Sequence, residues 1–452
     1  MSKTRQAVIP AVIRDLSRVL AARPRFTLEC RAVPLSPAAS RPKLSSSQRR
    51  VLVLLVISGF LNYFDRSNLS VGATDVSRDL GLNMDQLGLL LSAFFWSYAL
   101  CQLAGVSGWV VDRLNVCWVL AAGFFLWSGA TAITGIAHSF VLVFCLRLVL
   151  GIGESIAYPS YSRILASTFP EHHRGFANAF IDAGTKFGPG MGTLLGGLLM
   201  ARYGWRSFFV ALGAASLLWL VPWRLAMPRD PGLASRPPAN ADPAHAAPSL
   251  VEIFRHRSAI CTALLLFCSN YYWYFLLTWL PPYLERARHF SKSKMAFTGS
   301  AAYFLIAGVG VTAGRLSDRW IHRGYTPTLV RKTFGGLGLL FSTLILPVAA
   351  IRDETGALVL LMLASIAYGF YTPNVWAITQ TLAGPRAAGK WTGVQNGFGN
   401  LSGVAAPWFT GWVVGRTGSF FWAFAVAAAV ALAGAAILVF GIGRIEQVEY
   451  RE

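Results

Sequence analysis

The stretch VLVLLVISGFLNYFDRSNLSVG at 51–72 begins with apolar side chains and ends in polar ones that include the adjacent charges Asp65 and Arg66. A helix needs roughly 20 mostly apolar residues to cross a lipid bilayer. A charge near the bilayer centre costs about 2.5–3.5 kcal/mol on insertion scales, so charges there usually serve a function. The stretch therefore predicts a membrane-spanning helix with two functional charges.

The rest of the chain has the same apolar character. Hydrophobic residues make up 54% of the sequence and charged residues only 13%, whereas about 25% of residues are charged in a soluble domain. The candidate spans are 51–61, 86–111, 116–137, 139–161, 176–201, 207–223, 258–280, 299–313, 334–351, 356–379, 393–415 and 420–442. Most of them reach or approach the length of a bilayer span. We therefore expect an all-α membrane protein with twelve transmembrane helices.

One long segment interrupts the apolar pattern near the middle of the chain. It is rich in Pro, Ala and charge, so it is typical of a linker and not of a span. The expected domains are a basic tail at 1–48, a six-helix bundle at 49–224, the linker at 225–256, a second six-helix bundle at 257–443 and a tail at 444–452.

The two halves share a short motif. GWVVDR at 108–113 and GRLSDR at 314–319 both follow Gly-x-x-x-Asp-Arg. Repeated halves are typical of secondary transporters, in which two bundles rock about a central site. The glycines would let helices approach closely, and the charges would pair at helix ends and separate as the halves move. The predicted gating residues are Asp112, Arg113, Asp318 and Arg319, although charge at a helix end can also simply set topology.

The net charge of +20 lies mainly in alternate loops and in the N-terminal tail. This distribution favours a membrane protein over a nucleic-acid partner, and the positive-inside rule places both termini and the linker in the cytoplasm. We expect the plasma membrane of a bacterium. The basic loop 285–294 is an exception, because this topology puts it outside. Residues 1–46 fit a basic tail, a start assigned too early or an organelle transit peptide.

The fourth span adds two charges, Arg147 and Glu154. They lie seven residues apart, so both project from one helix face about 10 Å apart along the axis, and the two glycines between them would leave room beside that face. We interpret Asp65 and Glu154 as proton-binding groups, Arg147 as the partner of Asp65, and Arg66 as the ligand of a solute carboxylate. The alternatives are a fixed ion-pair network between spans one and four and, for Arg66, snorkelling to the interface.

Further candidates lie in spans two and five. Tyr98 and Gln102 are four residues apart and would reach the same cavity from one helix face. Lys186 follows Asp182 by four residues, which indicates either a self-neutralising pair or a second positive group for an anion.

The C-terminal half offers amides and aromatic rings within its spans, where charges are nearly absent. These residues are Asn270, Tyr271, Tyr272, Trp273, Tyr274, Tyr371, Asn374, Trp376, Thr379, Gln380, Gln395, Asn396 and Asn400. Such side chains suit hydrogen bonding to a polyhydroxylated solute, although packing and interfacial anchoring are the alternatives for the aromatic rings.

Over roughly residues 48–442 the chain resembles the major facilitator superfamily, and LNYFDRSNLSVG (61–72) and RLVLGIGESIAYPS (147–160) resemble its anion:cation symporter family. The resemblance implies two pseudo-symmetric six-helix halves and carriers of sugar acids of the glucarate and galactonate type. It places the family's functional charges at Asp65, Arg66, Arg147 and Glu154, and its substrate-binding Trp and Asn at Trp376 and Asn396. The glycines and Pro189 of span five partly resemble the motif of superfamily antiporters, so exchange stays open beside symport.

We therefore predict a monomeric, proton-coupled symporter of a small organic anion, with a sugar acid as the expected solute. The alternatives are a sodium- or potential-coupled phosphate or dicarboxylate carrier and a non-transporting membrane sensor. The sequence has no Walker loop, GxSxG elbow or HExxH motif, and its cysteines and histidines lack metal-ligand spacing, so we expect neither an enzyme nor a metal or other cofactor.

Overall fold

The computed structural model describes residues 44–169, 171–227 and 248–450. The predicted N-terminal tail up to residue 43 and most of the predicted linker lie outside the described residues. The main compact unit begins at Ser45. In the described part of the chain, regular secondary structure is entirely helical.

Six spans form the N-terminal half. They are span 1 (Ser46–Val71), span 2 (Met84–Leu103, continued by Val106–Arg113), span 3 (Val116–Thr134), span 4 (Phe140–Ser155, continued by Ala157–Thr168), span 5 (171–203) and span 6 (205–217, continued by Leu220–Ala226). A short helix, Ala73–Asp79, connects spans 1 and 2.

Six more spans form the C-terminal half, after the short helix Leu250–Arg255. They are span 7 (Arg257–Arg286), span 8 (Lys292–His322), span 9 (Pro327–Ser342, continued by Ile345–Ala350), span 10 (354–383), span 11 (385–400, continued by Ser402–Thr417) and span 12 (Phe421–Ala436, with a π-helical end Ile437–Gly441). The predicted all-α fold with twelve spans is confirmed.

Two glycines make turns that other residues would not adopt easily. Spans 5 and 6 join at Gly204, where φ is +76°, and spans 10 and 11 join at Gly384, where φ is +63°. A side chain is strained at such angles. The chain therefore reverses within one or two residues at both places.

Nine helices in the described part of the chain are long and apolar enough to cross a membrane on length and composition alone. That number is below twelve for identifiable reasons. Spans 5 and 6 count as one helix through Gly204, and the polar second half of span 1, which holds Asp65 and Arg66, makes that span less apolar. Span 11 also carries many polar and small side chains.

The spans run alternately up and down, so the bundle has two ends. We call the end at which residues 227 and 248 lie the linker end, and the opposite one the distal end. Hydrogen bonds fix neighbouring chain segments at each end. At the linker end, Gln48 Nε2 donates to the carbonyl of Thr168. At the distal end, Trp205 Nε1 donates to Asp79 Oδ2.

The halves pack closely near the distal end. A Cβ atom on Gly88 of span 2 would lie 2.8 Å from the Cα of Gly411 in span 11, and one on Gly197 of span 5 would lie 2.5 Å from the Cβ of Ala296 in span 8. Small residues permit this approach of helix backbones. Near the linker end, by contrast, no atom of another described residue lies within 4 Å of a Cβ built on Gly108.

Polar contacts across the halves also lie toward the distal end. Lys292 Nζ is 2.6 Å from Asp75 Oδ2 and 3.2 Å from Glu285 Oε1, so it joins the two halves and neutralises a carboxylate in each. We call these three residues the latch. Next to it, an Arg286 guanidinium nitrogen donates to the Ser77 hydroxyl. The Ser70 hydroxyl donates to the carbonyl of Leu277 at 2.7 Å.

Candidate functional site

The four charges predicted inside the membrane lie together in the N-terminal half. Asp65, Arg66, Arg147 and Glu154 are each at most 4% exposed, and we call them the charge cluster. Arg66 Nε donates to Glu154 Oε2 at 2.8 Å. Several polar atoms of the cluster have no hydrogen-bond partner among the described residues, including one oxygen of each carboxylate and Arg66 Nη2. A buried, incompletely satisfied cluster of this kind is typical of an ion-binding site.

Among the described residues, Arg147 forms no direct hydrogen bond or ion pair with Asp65, although the two charges interact electrostatically. Asp65 instead accepts a hydrogen bond from Asn68 Nδ2 at 3.4 Å, and Arg147 Nε has no partner. Adjacent helical residues point about 100° apart, so span 1 can direct only one of its two charges at Glu154, and it directs Arg66. Arg147 still interacts electrostatically with both carboxylates.

The glycines of span 4 do not leave room as expected. A Cβ on Gly151 would collide with Ser97 and the backbone of Phe94 in span 2, and one on Gly153 would lie 2.9 Å from the carbonyl oxygen of Gly123 in span 3. These glycines therefore let span 4 pack closely against its neighbours. The packing brings Phe94 up to the charge cluster.

Three aromatic rings surround the Arg66 guanidinium, and we call them the cage. The guanidinium carbon lies 4.5 Å from the ring centroid of Tyr63, 4.9 Å from that of Phe94 and 4.8 Å from that of Tyr98. Arg147 lies 5.5 Å from the same Phe94 centroid. Cation–π contacts stabilise a desolvated cation by roughly 0.5–2 kcal/mol each. The cage therefore holds Arg66 in one orientation.

The two residues predicted in span 2, Tyr98 and Gln102, contact different groups. Tyr98 belongs to the cage and stacks on Phe94 at 5.4 Å. Gln102 Nε2 donates to the backbone carbonyl of Ser155 at 2.9 Å, directly after Glu154. Tyr98 therefore contacts the charge cluster, and Gln102 holds the backbone of span 4 beside it.

The C-terminal half approaches the charge cluster through uncharged groups. The hydroxyl of Tyr274 donates to Asn400 Oδ1 at 2.6 Å, and the Tyr274 ring lies 4.3 Å from that of Phe95 in span 2. Tyr274 is also close enough to Arg66 to interact with it electrostatically. The cluster therefore faces an amide and a hydroxyl across the interface between the halves.

Asn396 lies on the same face of span 11 as Asn400, one turn nearer the linker end. Gly403, on that face too, packs so closely on Phe95 that a Cβ would collide with the ring. The face therefore points at the N-terminal half, and we call Tyr274, Asn396 and Asn400 the neutral wall. Asn396 is half-buried, as is Trp376 in span 10.

Several other polar residues of this half join helices to one another. The Tyr272 hydroxyl donates to the carbonyl of Ser342, the Tyr371 hydroxyl bonds to Ser269 Oγ at 2.8 Å, and Gln395 is fully buried between Thr379 and Thr262. These contacts hold span 7 to spans 9, 10 and 11. The polar surface available to a solute is therefore smaller than the sequence indicates.

Lys186 does not join the charge cluster. Its Nζ lies 4.0 Å from Asp182 Oδ1, and both side chains are about half exposed. The structure thus matches the self-neutralising pair, one of the two alternatives that the spacing allows.

The predicted gating charges have other partners than those expected. Asp112 Oδ1 accepts from Arg163 Nη1 at 2.9 Å, and Asp318 Oδ1 accepts from Arg331 Nη2 at 2.7 Å. Each pair lies within one half at the linker end. Arg113, instead of pairing with Asp112, lies over the ring of Trp109. Neighbouring residues diverge on a helix, so each aspartate reaches an adjacent span. Arg319 is exposed.

Sequence reasoning missed Tyr63, Phe94 and Asn62. Asn62 precedes Arg66 by one turn, lies near Glu154, and has a buried amide without a hydrogen-bond partner. Asn62 is four residues from Arg66 and therefore on the same helix face, a signal that could have identified it.

The sequence matches the profile of the Major Facilitator Superfamily over residues 55–407. It is 30% identical to a probable galactarate/D-glucarate transporter of Bacillus subtilis over 432 residues, which cover 90% of this chain and 94% of that protein. It is 30% identical over 417 residues to a D-galactonate transporter of Escherichia coli, covering 88% and 96% of the two chains.

The fold is also similar to a solved structure, the inward-facing, unoccupied form of a bacterial homologue of the human lysosomal transporter Spinster. The TM-score is 0.73 at 20% identity, and the match covers 88% of this chain and 95% of that one. Sequence and fold thus agree with the resemblance carried by the motifs at 61–72 and 147–160. The chain is a multi-pass integral membrane protein and belongs to the Major Facilitator Superfamily.

Proposed function

We propose that this protein carries a small organic anion, a sugar acid, across the membrane together with protons. The charge cluster carries the proposal, because charges inside a membrane protein are costly unless they bind or exchange ions. Its relatives are named as transporters of galactarate/D-glucarate and of D-galactonate, which supports a sugar acid.

Arg66 is the group that would bind the carboxylate. A guanidinium matches a carboxylate with two parallel hydrogen bonds, and Arg66 offers its partnerless Nη2 while Nε is held by Glu154. Two arginines balance two ionised carboxylates in the cluster. A proton on Glu154 would leave a net positive charge and weaken its hold on Arg66. Proton binding and anion binding therefore favour each other, which is the basis of coupling.

Asp65 would be the second proton-binding group, since one of its oxygens is also without a partner. Arg147 would balance whichever carboxylate is ionised. Tyr98 and Gln102 would position the Arg66 side of the site, and Trp376 and Asn396 would bind the body of the solute. Lys186, paired with Asp182, would act at most on the approaching anion.

We place the linker end in the cytoplasm, following the positive-inside rule, and the protein in a bacterial plasma membrane, as for its bacterial relatives. With this orientation the latch and the close contacts at Gly88 and Gly197 lie on the outer side, which supports an inward-facing form. Asp112 and Asp318, with Arg163 and Arg331, would then rearrange when the cytoplasmic side closes.

Glu154→Gln tests the coupling, because glutamine keeps the size and polarity but cannot exchange a proton. In proteoliposomes, we expect this variant to retain exchange of labelled substrate between the two sides while losing accumulation driven by a pH gradient. Glu446→Gln, an exposed residue outside the spans, is the matched control and should behave like the wild type.

Accumulation by Glu154→Gln at the wild-type level would show that Glu154 has only a structural role. Replacing sodium with potassium at constant pH, with the membrane potential clamped, completes the test. Loss of wild-type uptake under that condition would favour sodium coupling instead.

A further inference from the structure

We infer that the site is built for a sugar acid with a single carboxylate, an aldonate, and discriminates against the corresponding dicarboxylate, an aldarate. This inference rests on the proposed function. It comes from the unequal distribution of charge between the two halves of the site.

All the charge at the site comes from the N-terminal half. In the C-terminal half, charged residues occur only near the ends of the spans. Its uncharged central segments are 258–284, 295–314, 333–351, 355–383, 391–415 and 417–441. A solute held between the halves therefore meets cations on one side and none on the other.

The two cations of the charge cluster serve the same end of the solute. Arg66 and Arg147 both lie against the ring of Phe94. Once Arg66 has bound a carboxylate, the other end of a six-carbon chain would extend toward the neutral wall. Tyr274 and Asn400 are bonded to each other, and the half-buried Asn396 amide can hydrogen-bond a sugar hydroxyl without a counter-charge.

The remaining candidate for a cation that could bind a second carboxylate is Lys186, which is already paired with Asp182. The terminal carboxylate of an aldarate would therefore have no unpaired cation beside it. While the site is open to water, this carboxylate stays hydrated. When the site closes during transport, the carboxylate loses water and gains no opposite charge, which is strongly unfavourable. The discrimination should thus be larger in transport than in binding.

Two matched pairs of compounds test the inference with the full-length protein in proteoliposomes. Galactonate and galactarate differ only at C6, which is a hydroxymethyl group in one and a carboxylate in the other, and gluconate and glucarate differ in the same way. We would measure uptake of each labelled compound and inhibition of that uptake by its partner. The expected result is at least ten-fold higher uptake efficiency for the monocarboxylate of the better pair.

An equal or higher efficiency for the dicarboxylate would overturn this inference and leave the proposed function standing. Uptake of none of the four compounds would overturn the sugar-acid function, and this inference with it. The two failures are therefore distinguishable.

Asn396→Arg provides a second, constructive test. A cation in the neutral wall should reduce the preference for the monocarboxylate at least three-fold, through better uptake of the dicarboxylate. Thr381→Arg adds the same charge at an exposed position of span 10 and should leave the preference unchanged. If Asn396→Arg transports but keeps the wild-type preference, the neutral wall does not face the second end of the solute. If this variant does not fold, the uptake of the paired compounds by the wild type still tests the inference.

Discussion

At the scale of single residues, the neighbours of Arg66 fix the orientation of its guanidinium. Glu154 holds one of its nitrogens, and the rings of Tyr63, Phe94 and Tyr98 hold the guanidinium plane. Because the side chain is already oriented, binding an anion requires little further loss of conformational freedom. Phe94 differs from the other two rings of the cage, because it also contacts Arg147.

Phe94→Leu should weaken substrate binding. Leucine fills most of the space but has no aromatic face, so contacts with two cations are lost. Two contacts of roughly 0.5–2 kcal/mol each correspond to a rise of at least about five-fold in the apparent KM for uptake, while the maximal rate should change less. Uptake measured against substrate concentration checks this.

Phe124→Leu is the matched control, because Phe124 is also fully buried but packs against Trp127 and Trp219, and no cation of the described residues lies over its ring. Both variants should lose similar thermal stability. An equal rise of KM in both would show that Phe94 acts only through general packing.

The charged residues of the site could be predicted because a charge within an apolar run is a local signal. Asp65, Arg66, Arg147 and Glu154 were found in this way. Their pairing could not be, since it depends on how spans 1, 2 and 4 pack. The cage was missed for a related reason: aromatic side chains are common in membrane spans, and only the fold shows which of them meet at Arg66.

At the scale of helices and loops, the latch joins elements that are distant in sequence. Asp75 lies in the short helix after span 1, Glu285 near the end of span 7, and Lys292 is the first residue of span 8. Lys292 is largely buried, so its contacts are less screened by solvent than those of an ordinary surface pair. The latch stabilises the form in which the halves meet at the distal end.

Lys292→Gln should increase the population of the form that is open at the distal end. The variant removes the cation that joins Asp75 to Glu285 across the halves, while Asp75 stays paired with Arg78 in its own half. Spin labels at exposed positions 136 and 352, one in each half, would report the change by pulsed electron paramagnetic resonance. We expect a longer-distance component to increase at least five-fold relative to the wild type.

Lys294→Gln is the control, because Lys294 pairs with Glu354 within the C-terminal half. This variant should give the wild-type distance distribution. If Lys292→Gln gives that distribution as well, the latch does not hold the halves together.

At the scale of the whole molecule, the halves meet through backbone contact at the distal end. Gly88→Ala should disturb that contact, since the added Cβ would lie 2.8 Å from the Cα of Gly411. We expect transport to fall about three- to ten-fold and the distal ends to move apart, measured by uptake and by the same label pair. Gly129→Ala, where nothing lies within 4 Å, should change neither. Wild-type transport by Gly88→Ala would show that the contact is dispensable.

The overall architecture was predictable because it depends on local sequence features. These are the lengths of the apolar segments, the polar linker and the repeated Gly-x-x-x-Asp-Arg motif. The basic loop 285–294 is an exception to the predicted topology, and the structure shows what its charges contact. Lys292 bonds the latch carboxylates, Lys294 bonds Glu354, and Arg288 Nε donates to the hydroxyl of Tyr283. These charges contact other groups of the protein, so they are weaker signals of topology than unpaired charges in a loop.

The latch has a consequence for how quickly the carrier can find its solute. If the distal side opens, Lys292 would part from Asp75 but stay beside Glu285, and Asp75 would stay beside Arg78. Arg286, separated from Ser77, would then leave the new entrance with a net positive charge. Fixed charge at an entrance attracts ions of opposite sign from a distance and raises the frequency of productive encounters, most strongly at low ionic strength. Opening would therefore prepare the protein to capture a dilute anion from its surroundings.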